Sequence, residues 1–134
     1  QTTSAEATQK IAEEFAENLS VPKLMAFDAD LGRGKTTFIQ GLARGLGISS
    51  KIISPTFVLE RIYDIPKQDY KLHHYDLYRL EPDDMLISEI LENAKENIVV
   101  IEWADKIKDL LPENTIWIKI KNTGEDTREI VISD

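Results

Sequence analysis

The chain has no cysteine among its 134 residues. Disulfides and thiolate metal sites are therefore excluded, and nothing points to an oxidising compartment. It also lacks long apolar stretches. The longest run, "IVVI" at 98–101, falls far short of the roughly 20 residues that cross a bilayer, and no signal-peptide pattern is visible. A cytoplasmic protein without membrane contact is the expectation. Positive charge is scarce too: 16 Lys and Arg stand against 24 Asp and Glu, a net charge of −8. Such a surface repels a polyanion, so unaided gripping of nucleic acid is disfavoured. Only two histidines are present, which leaves a zinc site built on His74 and Asp76 without a third ligand.

What is there suits a folded domain. Charged residues make up 30% and hydrophobic ones 42%, too apolar for disorder, and the length fits one domain with a real core, here taken as 1–134. Ile11, Phe15 and Leu19 recur at helical spacing with Ala12 beside them, and Thr3 with Glu6 resembles a capping box, so 4–19 reads as a helix. "KLMAF" at 23–27 reads as a buried strand, and Phe38, Ile39, Leu42 and Leu46 predict a helix over about 35–46 that stops at Gly47. A turn at Ser54-Pro55 precedes a strand over about 57–64, with "YKLHHYDLYRL" as its hairpin partner across a loop carrying Pro66. After Pro82, Met85, Ile90 and Leu91 have helical spacing, "NIVVIEW" is a bare buried strand, and "TIWIKI" and "REIVIS" close the chain as alternating strands around Gly124. The order predicts an α/β fold, a mostly parallel central sheet with antiparallel hairpin additions and helices on both faces. Ligands in such sheets bind at the carboxyl ends of the strands.

The segment "DADLGRGKTT" at 28–37 sits at such an end. Aligned on Gly34-Lys35-Thr36, it matches the phosphate-loop pattern G-x-x-x-x-G-K-[ST] with Ala29 in the first position. Gly32 and Gly34 allow the backbone conformations through which N–H groups from Asp30, Leu31, Gly32, Arg33, Gly34, Lys35, Thr36 and Thr37 converge on phosphate oxygens. The following helix adds the positive end of its dipole. Lys35 can reach the β and γ phosphates, and the Thr36 hydroxyl can bind Mg²⁺. The plainer alternative is a glycine turn capping an ordinary helix.

Glu102 closes the second apolar strand, where a carboxylate would complete a magnesium shell; otherwise it is an ordinary strand-terminal glutamate. In an extended "HHYDLYRL", His74, Asp76 and Tyr78 share one face and His73, Tyr75 and Arg79 the other. Asp76 can orient water or a metal-bound water, and a structural hydrogen bond suits His74 better than ligation. Thr56 in "SPTF" is placed for a switch that approaches a γ phosphate, unless Pro55 merely starts a strand. Trp103 combines a core position with a ring able to cover the edge of the site.

Taken in this order, "DLGRGKTTF", "GLARGLGI", "SPTF", "HHYDLYRL" and "IEW" resemble the bacterial TsaE family, formerly YjeE, the small ATPase of tRNA threonylcarbamoyladenosine synthesis. The matching pieces span approximately residues 24–103. The phosphate loop alone is widely shared, but its combination with "SPTF", H-x-D-x-YR and "EW" is specific. The resemblance implies a single-domain P-loop NTPase that binds ATP and Mg²⁺ and hydrolyses slowly by itself. It further implies TsaB and TsaD as partners, with the ATP cycle supporting threonylcarbamoyl transfer to adenosine 37 of tRNA, which is met only through those partners. Carried over, Lys35 contacts phosphates, Thr36 and Glu102 hold Mg²⁺, Thr56 belongs to the switch, and Asp76 and Trp103 are needed for activity. The family usually has glycine and alanine where Ala29 and Arg33 stand. Three competing readings are a small P-loop kinase, which 134 residues leave little room for; a GTPase, for which no N-K-x-D-like segment is found; and a nucleotide-binding module without useful turnover.

Overall fold

The computed structural model describes residues 4–19, 23–28, 33–49, 60–77, 81, 83–122 and 128–133. Helices α1 (Ala5–Glu17), α2 (Arg33–Gly45) and α3 (Asp84–Asn93) surround strands β1 (Lys23–Phe27), β2 (Glu60–Asp64), β3 (Lys71–Asp76), β4 (Ile98–Glu102), β5 (Ile116–Asn122) and β6 (Arg128–Ser133). The strands form one sheet in the order β2-β3-β4-β1-β5-β6. β3, β4, β1 and β5 run parallel at its centre, while β2 and β6 are antiparallel edges. The expected mixed α/β sheet is thus observed.

Burial explains the strand patterns. Every residue of β4 is buried, because β3 and β1 flank it and side chains cover both of its faces, which removes the period-two alternation of a half-exposed strand. On one face Met25, Phe27, Leu72, Val100 and Ile118 pack with Phe38, Ile39 and Leu42 of α2 and Ala12 and Ala16 of α1. On the other, Leu24, Ala26, Tyr75, Val99 and Ile101 pack with Ile90 of α3 and with Ala104 and Ile107. Fully burying each large apolar side chain contributes about 1.5–3 kcal/mol, so the two layers clamp the central strands from both sides.

Several local expectations are corrected. Ser4 caps α1, its hydroxyl accepting the Ala7 N–H at 3.1 Å, so the box drawn from Thr3 and Glu6 is not the cap; Thr3 lies outside the described residues. Ile11 is 37% exposed and Ala12 fully buried, because α1 approaches α2 so closely that the contact face selects small residues. Met85 is likewise exposed, and the inner side of α3 is carried by Ile90. α2 begins at Arg33, two residues earlier than predicted. Gly47, with φ +87°, takes the left-handed conformation expected after it. The turn at Ser54-Pro55, strand residues 57–59 and Gly124 lie outside the described residues. A 3₁₀ segment, Ala104–Leu110, follows β4 and was not expected, since its sequence has no strong helical period. Among the described residues no helix is long and apolar enough to cross a membrane.

Candidate functional site

The carboxyl ends of the parallel strands deliver Phe27 from β1, Asp76 from β3 and Glu102 from β4. Asp76 and Glu102 are register partners, so these carboxylates emerge side by side on one face. That face is the one covered by α1 and α2, since Met25, Phe27 and Val100 lie on it. The strand pairing also continues past Asp76, with the Leu77 N–H donating to the Glu102 carbonyl at 3.2 Å. Lys106, from the 3₁₀ segment, donates to the Leu77 carbonyl at 2.8 Å, tying that segment to the end of β3.

The first turn of α2 faces this end of the sheet. First-turn amides have no acceptor in their own helix and carry the positive end of its dipole, and here that turn comprises Arg33, Gly34, Lys35 and Thr36. The first turns of α1 and α3 contain Glu6 and Asp84, but that of α2 has no acidic residue. A first turn without its own carboxylate suits an external anion. Lys35 is only 5% exposed, and its Nζ stands over the Trp103 ring, 4.6 Å from the centroid. Such desolvated cation–π contacts are worth about 2 kcal/mol.

Trp103 reaches that position through an unusual backbone. Its φ of 61° and ψ of 36° are left-handed, a conformation costing a bulky residue about 1–3 kcal/mol. The turn redirects the chain out of β4 and sets the indole at the edge of the site. Strain of this kind clusters at functional sites.

Behind Glu102 lies His74. Its Nε2–H donates to Glu102 Oε2 at 2.7 Å, with both side chains buried, so the hydrogen-bonding role expected for this histidine is observed. On the opposite face His73 Nδ1 pairs with Glu60 Oε2 at 2.8 Å, and the Asn93 amide donates to the Tyr75 hydroxyl at 2.7 Å. Tyr75 also hydrogen-bonds Glu60; burial first, then that bond, pushes the phenol well above its ordinary pKa. Sequence reasoning missed this group because Glu60 and Asn93 come from elements 33 positions apart with no shared motif. Asp28, at the end of β1, lies 3.8 Å from exposed Lys119, a contact worth little in water.

Lys35, Thr36, Thr37, Asp76, Glu102 and Trp103 are therefore all found at the same end of the sheet, together with the backbone of Arg33 and Gly34. Ala29, Asp30, Leu31, Gly32 and Thr56, as well as Tyr78 and Arg79, lie outside the described residues. No group of three or more His, Cys, Asp and Glu side chains able to hold a metal exists among the described residues.

The sheet and this site define an α/β protein whose helix terminus, buried ammonium and strand-end carboxylate converge at one end. The sequence profile of the family "Threonylcarbamoyl adenosine biosynthesis protein TsaE" matches residues 2–130. The chain is 35% identical over 137 aligned positions to a Bacillus subtilis protein named tRNA threonylcarbamoyladenosine biosynthesis protein TsaE, covering 98% of this chain and 82% of that one. A Nostoc protein of the same name is 39% identical, with 96% and 80% covered. The crystal structure of YdiB from Bacillus subtilis superposes with a TM-score of 0.75 at 32% identity, over 96% of this chain and 79% of that one. The chain belongs to the TsaE family.

Proposed function

We propose that this protein is the ATP-binding and ATP-hydrolysing component of the machinery that makes N6-threonylcarbamoyladenosine at position 37 of tRNA, its ATP cycle supporting the TsaB and TsaD transferase. The observation that carries the reading is the buried Lys35 ammonium in the first turn of α2, a turn with no acidic residue, at the sheet end where Glu102 emerges. The names of the relatives supply the pathway.

The donor set fits Mg²⁺ and a triphosphate: one ammonium and helix amides for anionic oxygen, one hydroxyl and one carboxylate for a hard cation. Bound ATP with Mg²⁺ supplies a phosphoanhydride bond whose cleavage can drive a conformational cycle. Lys35 and the amides of the α2 terminus bind phosphate oxygens and offset their charge. Thr36 and Glu102 would hold Mg²⁺. Asp76, next to Glu102, accepts a hydrogen bond from water and orients it. Trp103 closes one side of the site with a large apolar surface and excludes solvent from the ammonium. Thr56 is proposed as the switch residue that senses the terminal phosphate.

The acidic net charge of −8 supports a division of labour in which partners handle the RNA. The test measures phosphate release from ATP and from GTP, alone and with TsaB and TsaD, beside a Lys35→Ala variant. Slow release from ATP, stimulation by the partners and loss of triphosphate binding in the variant are expected. Full nucleotide affinity in Lys35→Ala would refute the site assignment, and a rate indifferent to both partners would refute the proposed role.

A further inference from the structure

The side chain of Glu102 does not turn toward its register neighbour. Asp76 lies beside it on β3, yet Oε2 reaches back two residues along that strand to His74 Nε2 at 2.7 Å. A carboxylate turned sideways would meet a second anion, whereas one turned back meets a ring N–H. A carboxylate oxygen at this distance from a ring nitrogen accepts a proton carried by that nitrogen. The bond thus engages Oε2 and restrains the carboxylate, leaving Oε1 as the atom to face a cation.

His74 is a firm anchor. It sits on an inner strand, between β2 and β4, and is 1% exposed. Its second nitrogen, Nδ1, is buried with no hydrogen-bond partner among the described residues, so Glu102 is the ring's one polar contact there. As a device for holding the sheet together this is poor. Burying such a pair costs desolvation that an apolar pair would avoid. The arrangement makes sense as one that holds Glu102 in a single orientation.

We propose that His74 is the positioning residue for the Glu102 carboxylate, setting the oxygen that this protein offers to a divalent cation. The inference rests on the reading of Glu102 as the Mg²⁺ carboxylate. Hydrogen-bonded partners behind a metal ligand typically alter metal affinity about 10- to 100-fold.

The full-length chain tests it through two polar substitutions. In His74→Gln the amide nitrogen takes the place of Nε2 and can still reach Glu102; in His74→Asn it takes the place of Nδ1 and cannot. Mn²⁺ affinity is read by electron paramagnetic resonance in the presence of a non-hydrolysable ATP analogue, and nucleotide affinity is read separately in EDTA. His74→Asn should weaken Mn²⁺ binding by about 10-fold or more, His74→Gln should stay near wild type, and metal-free nucleotide affinity should be the same in all three. Equal Mn²⁺ affinity in the two variants would overturn the inference. So would a parallel loss of metal-free nucleotide binding, which would mark His74 as a general packing residue. A wild-type protein that bound neither nucleotide nor Mn²⁺ would overturn the functional reading, and the inference with it, and is told apart by the wild-type measurement alone.

Discussion

The Nζ of Lys35 stands over the face of the Trp103 ring, 4.6 Å from its centre. One partner is delivered by the first turn of α2, the other by a left-handed residue at the end of β4. Neither element alone makes the contact. It measures how closely the helix terminus and the strand end are held together.

That contact makes Trp103 a reporter. Phosphate oxygens attract the ammonium more strongly than a ring quadrupole does, so nucleotide binding changes the charge lying over the indole. In a Trp117→Phe background, which leaves Trp103 as the single tryptophan, saturating ATP is expected to shift the emission, and Lys35→Ala to shift it without nucleotide. Emission unmoved by ATP, with saturation verified by calorimetry, would contradict the idea that Lys35 serves the phosphates.

A second expectation concerns the helix pair. A Cβ added at Gly41 would lie 2.7 Å from Gln9 Cα and 2.9 Å from Ala12 Cβ, and one at Gly45 would lie 2.5 Å from the Glu13 carbonyl oxygen. Helix propensity alone favours Gly→Ala by about 1 kcal/mol. Here the obstacle is largely backbone, which cannot swing aside, and overpacking costs about 1–3 kcal/mol. Gly41→Ala and Gly45→Ala should therefore both be destabilising in urea unfolding. A stabilised Gly41→Ala protein would show that α1 does not pack this closely.

Most of the architecture was legible because its signals are local. β4 reads as "IVVIE" since it is covered on both faces, and the alternation in "HHYD" correctly separates His74 and Asp76 from His73 and Tyr75. Lys35, Thr36, Glu102 and Trp103 were legible as a group because the phosphate-loop spacing and the strand-end rule act at fixed offsets. What was not legible depends on contacts between distant elements. Ile11 has the hydrophobicity of a core residue and Ala12 does not, yet the close approach of Gly41 buries Ala12 instead. No spacing rule joins Glu60 to Tyr75, or His74 to Glu102. Those pairs exist only after the sheet sets its register.

The Tyr75 phenol should leave a signature at high pH. Its pKa is raised in the folded state, first by burial and then by its hydrogen bond to Glu60. Below the ordinary value of 10.0 both folded and unfolded chains keep the proton, and stability does not depend on it. Above that pH the unfolded chain releases the proton while the folded one retains it, so stability falls by about 1.4 kcal/mol per pH unit from this group. Urea unfolding between pH 9 and roughly 11.5 should show a shallower decline in Tyr75→Phe than in wild type, by about one proton's worth of slope. Equal slopes would mean that the hydroxyl ionises equally readily in both states.

Glu102→Gln separates stability from metal binding. The amide oxygen can accept the His74 Nε2–H as Oε2 does, so the hydrogen bond survives while a buried negative charge beside Asp76 disappears. Removing a charge from a site only 5% exposed lifts a desolvation cost, and unfolding stability should stay within about 1 kcal/mol of wild type or rise. Metal binding should respond in the opposite sense, because a neutral amide is a weak ligand for a hard cation that demands charge. Titrating Mg²⁺ into the protein with a non-hydrolysable ATP analogue should therefore show the metal-dependent gain in nucleotide affinity reduced by about 10-fold or more in the variant, while affinity in EDTA is unchanged. If the variant retained the full Mg²⁺-dependent gain, the carboxylate would have to act elsewhere. If instead it lost stability and nucleotide binding together, Glu102 would be a fold element whose placement at the strand end has no chemical role.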